Sequence, residues 1–309
     1  MKPQLSQQNY DAIVDYLEEC QHDPELFVKM SFPWGEPNTP LENQQGPEEW
    51  QRQILREIKD NIKTAESAIR EAVASGHGIG KSALVSWIIL WALGTCTNTR
   101  GVVTANTETQ LRTKTWAELS KWYNMWEAKS LFSYTATSIF SNADKYEKTW
   151  RIDAIPWSET NSEAFAGLHN QGNRILIIFD EASAIHDTIW EVTEGALTDA
   201  DTEIIWCCFG NPTRSSGRFY DCFHKHRNYW HTRRVDSRSV SFSDKKQIEE
   251  WREIYGEDSD FFKVRVRGEF PSASDKQYIS QDIVDEARKR VLKPYQYNFA
   301  PVIIGVDPA

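Results

Sequence analysis

Ser75-Gly76-His77-Gly78-Ile79-Gly80-Lys81-Ser82 decides how the rest of this chain is read. Ala68 to Ala74, just before it, reads as a short strand, and Ala83 to Leu93, just after it, reads as a buried helix. Strand, glycine-rich turn and helix is the order in which such a loop binds phosphate. Glycines at 76, 78 and 80 let successive backbone N–H groups turn inward as a cradle for oxyanions. The helix that follows adds a positive N-terminus. Lys81 is placed to reach the β- and γ-phosphates of a nucleotide, and Ser82 to offer its hydroxyl to Mg²⁺. The strict pattern asks for glycine at position 75, where this chain has serine; Gly76 supplies the flexibility one residue later. Ser75, Gly76, His77, Gly78, Ile79, Gly80, Lys81 and Ser82 are therefore the expected nucleotide-binding residues. The rival reading of the loop alone is a glycine-rich turn that merely caps a buried helix.

Arg174-Ile175-Leu176-Ile177-Ile178-Phe179-Asp180-Glu181-Ala182 argues against that rival. An unbroken apolar run fits a strand buried on both faces of a parallel sheet. Ligands of such sheets bind at the C-terminal ends of the strands. Asp180 is thus expected to hold Mg²⁺, directly or through water, and Glu181 to orient and deprotonate the attacking water. The adjacent glutamate favours hydrolysis over binding alone. Thr202 to Phe209 reads as another core strand, ending in Gly210-Asn211-Pro212-Thr213. Asn211 there is the candidate sensor of the γ-phosphate, with Thr213 behind it; a simple Asn-Pro turn is the equal alternative on local grounds. Gly101 to Thr107 reads as a strand running into a polar loop, followed by Gln110 and a helix from Leu111 to Trp122.

Composition sets the bounds. The chain's 309 residues, 40% hydrophobic and 26% charged, suit one large globular domain or two ordinary ones. No apolar run approaches the ~18 residues that span a bilayer, and the polar start Met1 to Gln8 does not read as a signal peptide. Five cysteines without a Cys-x-x-Cys pair make a poor disulfide framework and point to a reducing, intracellular setting. Cys222, His224, His226 and His231 match no closed zinc spacing. A net charge of −10 does not describe a tight static DNA binder. It leaves room for a local grip at His224 to Arg227, at Arg233-Arg234, or at Lys263 to Arg267. Most of the 13 tryptophans read as core or interface anchors.

Apolar spacing predicts helices over residues 7–20 and 47–62, separated by a break at Asp23-Pro24 and a turn-rich loop from Phe32 to Pro40. Residues 244–270 read as helical and then extended, and Asp282 to Val291 as a short amphipathic helix. The expected organisation is an N-terminal helical segment (1–66), an ATPase core (67–240), a closing helical subdomain and linker (241–275), and a last piece (276–309). That last piece holds a linker helix and one apolar strand ending at Asp307, read as the start of a second domain. The expected fold class is α/β: a P-loop NTPase of the ASCE, RecA-like kind, with a doubly wound, mainly parallel sheet and flanking helices.

In this order the motifs resemble the large subunit of a tailed-phage terminase, across nearly the whole chain. Phe27-Val28 to Gly35 is similar to that family's N-terminal segment. Trp50-Gln51-Arg52-Gln53-Ile54-Leu55 resembles its adenine-recognition motif, which makes Gln51 the expected base contact. Ser75 to Ser82 resembles its deviant Walker A loop, Ile175 to Ala182 its Walker B strand with the catalytic glutamate, and Gly210 to Thr213 with Gly217 to Tyr220 its coupling motif. Arg267 to Pro271 is similar to the close of its ATPase domain. Val302 to Ala309 resembles the first strand of its ribonuclease-H-like nuclease, with Asp307 at the first metal-binding carboxylate of an incomplete site.

The resemblance implies ATP hydrolysis, with Mg²⁺, driving double-stranded DNA into a viral capsid. It implies catalytic roles for Glu181 and Asn211, and as partners a portal protein and a small terminase subunit. It also implies a homo-oligomeric ring, a pentamer, in the host cytoplasm and off the membrane. An arginine from a neighbouring subunit would complete each site; Arg100, Arg112, Arg151 and Arg214 are the candidates. Two departures stand out. The family often has arginine where this chain has His77, and the further nuclease carboxylates are lacking, so two-metal DNA cleavage is not expected. The rival functions are a helicase-like or other remodelling ATPase, for which a second RecA-like lobe has no room, and a nucleotide-dependent interaction module, against which Glu181 argues.

Overall fold

The computed structural model describes residues 6–62, 67–157, 168–272 and 281–290. The chain divides into two compact units, Met1–Pro271 and Ser272–Ala309. In the second, the described residues form one helix, Gln281–Lys289, close to the amphipathic helix expected there. Asp307 and its strand lie outside the described residues.

The first unit is built on an eight-stranded sheet in the order β3-β4-β5-β2-β6-β7-β1-β8. Its strands are β1 (Ile69–Ser75), β2 (Arg100–Thr104), β3 (Phe132–Tyr134), β4 (Ser138–Ser141), β5 (Arg151–Ala154), β6 (Arg174–Asp180), β7 (Glu203–Gly210) and β8 (His231–Val235). Six of them, from β5 to β8 in that order, pair in parallel; β4 runs antiparallel to β5, and β3 to β4. This is the expected α/β P-loop architecture. The strand before the phosphate loop and the acidic strand are not neighbours, because β7 lies between them.

Alternation along the central strands explains the two layers. Leu176 and Ile178 of β6, with Ile205, Cys207 and Phe209 of β7, face one apolar cluster. Ile175, Ile177 and Phe179, with Ile204, Trp206 and Cys208, face the other. With both faces covered, no polar position interrupts the run. Helices α1 (Gln7–Glu19), α2 (Pro24–Ser31), α3 (Glu49–Ile62) and α4 (Lys81–Thr95) share the first layer. Asp23-Pro24 does break the first helix, but it also starts the second: Asp23 caps α2 through Leu26 N, with Pro24 at the first helical position. In α4 every residue from Leu84 to Thr95 is buried, as an all-apolar helix requires. Trp87 of α4 meets Trp34 and Trp122 edge to face, and those two are tilted against each other, with centroids 4.9–5.7 Å apart.

The region after β8 departs from expectation. Residues read as extended after 255 are helical turns: Asp260–Phe262 runs directly into Lys263–Arg267. Val266 is fully buried, and Gly268 turns the chain with a positive φ of 64°.

Glu71 of β1 is a buried carboxyl beside the Glu57–Arg233 ion pair. Burial pushes its pKa well above the usual carboxylate range, the charge of Glu57 adds to this, and Arg233 opposes it. The folded state thus binds this proton more tightly than the unfolded one. The stability it contributes is full below the ordinary value of 4.5 and is lost as the pH rises. Glu71→Gln, which copies the protonated form, is expected to raise the melting temperature at pH 8 by a few degrees and to leave it nearly unchanged at pH 4. Parallel melting-versus-pH curves for the two proteins would refute this.

Candidate nucleotide site at the C-terminal edge of the sheet

Parallel register brings three strand ends level: Ala74 of β1 pairs with Gly210 of β7, and Asp180 of β6 with Phe209. The loop after β1, Asn211 after β7 and the acidic pair after β6 therefore meet on one edge. Lys81, the first residue of α4, donates to Asn211 Oδ1 at 3.3 Å. Asn211 Nδ2 donates to the Ser75 carbonyl at 2.6 Å, so this buried amide bridges the loop's entrance and its lysine.

The loop has the shape its glycines suggest. Gly78 and Gly80 have φ values of 68° and 83°, and Gly80, at the N-cap of α4, has no side chain to occupy the first-turn N–H groups. Ser75 is buried, its hydroxyl on the Gly76 carbonyl at 3.1 Å. Ile79 is buried in the core, so only its backbone faces the loop. His77 and Gly78 are exposed at the crest.

Asp180 is buried, accepting from the Thr115 hydroxyl at 2.6 Å and from the Glu181 N–H at 3.0 Å. Burial raises its pKa; Thr115 and Lys81 act the other way. Thr115 comes from a wide helical turn, Leu111–Trp116, within the helix after β2, and nothing in the local sequence marked it. Glu181 is in the left-handed region at φ 53°, uncommon for a non-glycine residue and of the kind found at working sites.

Gln51 is buried beside the loop, its amide donating to the Gly80 carbonyl at 3.0 Å and its oxygen accepting from Glu48 N at 2.8 Å. It faces a cleft of about 650 Å³ walled by Trp34, Trp87, Trp122 and Phe242. Thr213 bonds the Ser183 hydroxyl at 2.7 Å.

A second set of contacts was not legible in the sequence. The Gly76 N–H donates to the Val235 carbonyl at 3.0 Å, the His77 N–H to the Arg265 carbonyl at 2.8 Å, and the Ser237 hydroxyl to the His77 carbonyl at 2.7 Å. Arg265 Nη1 also lies 3.2 Å from His77 Nε2. Partial loss of water around the ring, then the charges of Lys81, Arg265 and Lys114, push the His77 pKa down to about 4. Because the residue as a whole is exposed, solvent tempers the first cause, and of the three cations it is Arg265 that the geometry places in direct contact. At neutral pH His77 is thus a neutral acceptor for Arg265, not a second cation on the loop.

No family model matches the chain. It is 30% identical over 258 residues to the protein described as "Probable terminase, large subunit" of Enterobacteria phage P7, covering 79% of this chain and 50% of that one. The chain is a relative of the phage large terminases. It spans about half the length of that curated terminase. Solved terminases share its fold. The ATPase domain of Thermus phage P74-26 large terminase superposes with a TM-score of 0.53 at 16% identity, over 72% of this chain and 94% of that one. The large terminase of a thermophilic bacteriophage, in complex with ADP, gives 0.50 at 12% identity, over 81% and 53%. That of phage HK97 gives 0.50 at 13%, over 87% and 51%. Among the described residues, no helix is long and apolar enough to cross a membrane.

Proposed function

We propose that this chain is the ATPase portion of a DNA-packaging terminase, hydrolysing ATP to move double-stranded DNA into a capsid. The observation that carries the reading is the meeting of Lys81, Asn211, Asp180 and Glu181 at one edge of adjacent parallel strands. The terminase relative and the ADP-bound terminase of the same fold support it.

In this reading the loop N–H groups from Gly78 to Ser82 hold the phosphates, those of Gly76 and His77 being taken by the Val235 and Arg265 carbonyls, and Lys81 reaches the β- and γ-oxygens. Gln51 and the aromatic cleft beside Gly80 take the base. Ser82 and Asp180 would hold Mg²⁺, which would supply neutralisation of the phosphate charge. Asp180 suits this, because a buried carboxylate beside a lysine is readily discharged by a cation. Glu181 takes the proton of a water that attacks the γ-phosphorus; the bond to the β,γ-bridging oxygen breaks and ADP leaves. Asn211, bonded to both Lys81 and Ser75, carries the loss of the γ-phosphate to the strand β7. The domain limits 1–66, 67–240, 241–275 and 276–309 belong to this reading, as do a pentameric ring, the portal and small-subunit partners, the host cytoplasm, and a nuclease whose first strand is Val302 to Ala309, with Asp307 as its first metal-binding carboxylate. Of the four candidate trans-acting arginines, Arg100, Arg112 and Arg151 are bonded to His169, Glu108 and Asp153. Arg214, just past Asn211, is exposed, and it is the one we assign.

The test is steady-state ATPase activity with Mg²⁺, with and without linear double-stranded DNA. Turnover that DNA stimulates and that Lys81→Ala lowers by at least about 10²-fold is the expected result. Turnover indifferent to Lys81→Ala overturns the reading. Lys81-dependent binding with no turnover, even in the presence of DNA, favours an interaction module instead.

A further inference from the structure

The charges of three cations from three separate elements bear on the imidazole of His77, and one of them, Arg265, touches it. Lys81 opens α4 and is fixed by Asn211. Lys114 sits on the Leu111–Trp116 turn, and that turn is anchored to the end of β6 by the next residue, Thr115, through its bond to Asp180. Arg265 comes from the Lys263–Arg267 turn. Its carbonyl accepts the His77 N–H, its Nη1 reaches His77 Nε2, and its guanidinium lies 5.0 Å from the Phe261 ring centroid.

Among the described residues neither Lys114 nor Arg265 makes an ion pair with a carboxylate, whereas most arginines of this chain do. The chain carries a net charge of −10, so carboxylates to neutralise them are plentiful elsewhere. Like charges held close together cost energy unless an anion joins them. His77, neutral and bonded to Arg265, adds no fourth positive charge and serves as the post on which that guanidinium rests. The anion that fits a phosphate loop ringed by lysine and arginine from outside it carries more charge than the β-phosphate that the loop itself holds.

We infer that Lys114 and Arg265, in cis and from elements outside the phosphate loop, bind the terminal phosphate of ATP and make the site discriminate ATP from ADP. This rests on the nucleotide reading of the site. Lys114 would reach that phosphate from the turn whose next residue, Thr115, bonds Asp180, and Arg265 from its place beside His77 Nε2. A purely structural role for either residue would not distinguish the two nucleotides, which differ only by that group.

The experiment is calorimetric titration of the chain with ATP and with ADP, both with Mg²⁺, for the unmodified protein, Lys114→Ala, Arg265→Ala, Arg265→Lys and Lys81→Ala. Loss of one charge-assisted contact is expected to weaken ATP by about tenfold and ADP by less than about twofold for each alanine variant. Arg265→Lys, which keeps the charge and the backbone bond to His77, is expected to recover part of the ATP loss. Equal weakening of ATP and ADP, or no weakening of either, overturns the inference while Lys81-dependent binding leaves the site reading standing. Nucleotide binding by the unmodified chain that Lys81→Ala does not weaken, or none at all, overturns both.

Discussion

Glu181→Gln is expected to bind ATP about as tightly as the unmodified chain and to hydrolyse it at least about 10²-fold more slowly. Glu181 has a left-handed φ of 53°, which costs about 1 kcal/mol or more for a residue with a Cβ. Two neighbours hold it there. The Asp180 carboxylate accepts the Glu181 N–H at 3.0 Å. The chain beyond packs on Gly210 so closely that a Cβ there would stand 3.1 Å from the Ala182 nitrogen. The turn thus sends the Asp180 carboxyl inward, buried on Thr115, and leaves Glu181 partly exposed. In the proposed reading one carboxylate is discharged by a cation and the other meets water. Glutamine keeps the volume and the turn but cannot accept a proton, so the loss should fall on the turnover number and spare affinity. Single-turnover hydrolysis with a parallel binding titration reads the two separately. Turnover within about threefold of the unmodified chain would remove Glu181 from its role.

The same residues show what the sequence could convey. β6 and β7 were legible because a strand covered on both faces runs apolar through its middle, and Arg174 to Asp180 is buried throughout; β1, which carries Arg70 and Glu71, was legible from the glycine loop that follows it. The loop and the acidic pair were legible because their chemistry is local: glycines, a lysine, and carboxylates at the end of a strand. β8 was not, because as an edge strand its His231–Val235 pattern is mostly polar and mimics a solvated basic run. The helical turns from Asp260 to Arg267 were missed because a basic, β-branched stretch such as Lys263-Val264-Arg265-Val266-Arg267 has strand-like alternation, while its packing on β1 overrides that propensity. Thr115 lies 65 positions from Asp180, and Arg265 lies 188 from His77. No periodicity within a window reports a pairing at such a distance. Gln51 was found as a motif residue, but its commitment to the Gly80 carbonyl came only from the fold.

Gly76→Ala is expected to damage the chain far more than Gly78→Ala, although both glycines sit in the phosphate loop. Gly78 has a left-handed φ of 68°, and a Cβ placed on it would find open space, with nothing within 4 Å. Alanine there meets only backbone strain, about 1–2 kcal/mol. Gly76 has no such φ, so alanine suits its backbone. A Cβ there, however, would collide outright with Ser237 Oγ and the Val266 carbonyl, and would stand 2.8 Å from the Arg265 carbonyl. Two of these three are main-chain atoms of the turn that clamps the loop. The Ser237 side chain can swing aside only by giving up its bond to the His77 carbonyl. Gly268 repeats the fit from the other side, where a Cβ would stand 2.8 Å from the Ser75 Cα. The loop and the 265–268 turn therefore touch backbone to backbone, and a methyl between them must push one away. We expect about 3 kcal/mol or more of lost stability, from overpacking together with the loss of the Gly76 and His77 clamp bonds. A loop displaced by about 1 Å should also lose about 10²-fold in turnover. Ser237→Ala added to Gly76→Ala should not rescue it, because the two carbonyls remain. Thermal melting and ATP titration of the three variants decide the point. A Gly76→Ala protein that melts and binds like Gly78→Ala would mean that the 265–268 turn yields freely, and that the phosphate loop owes its shape to its own glycines alone.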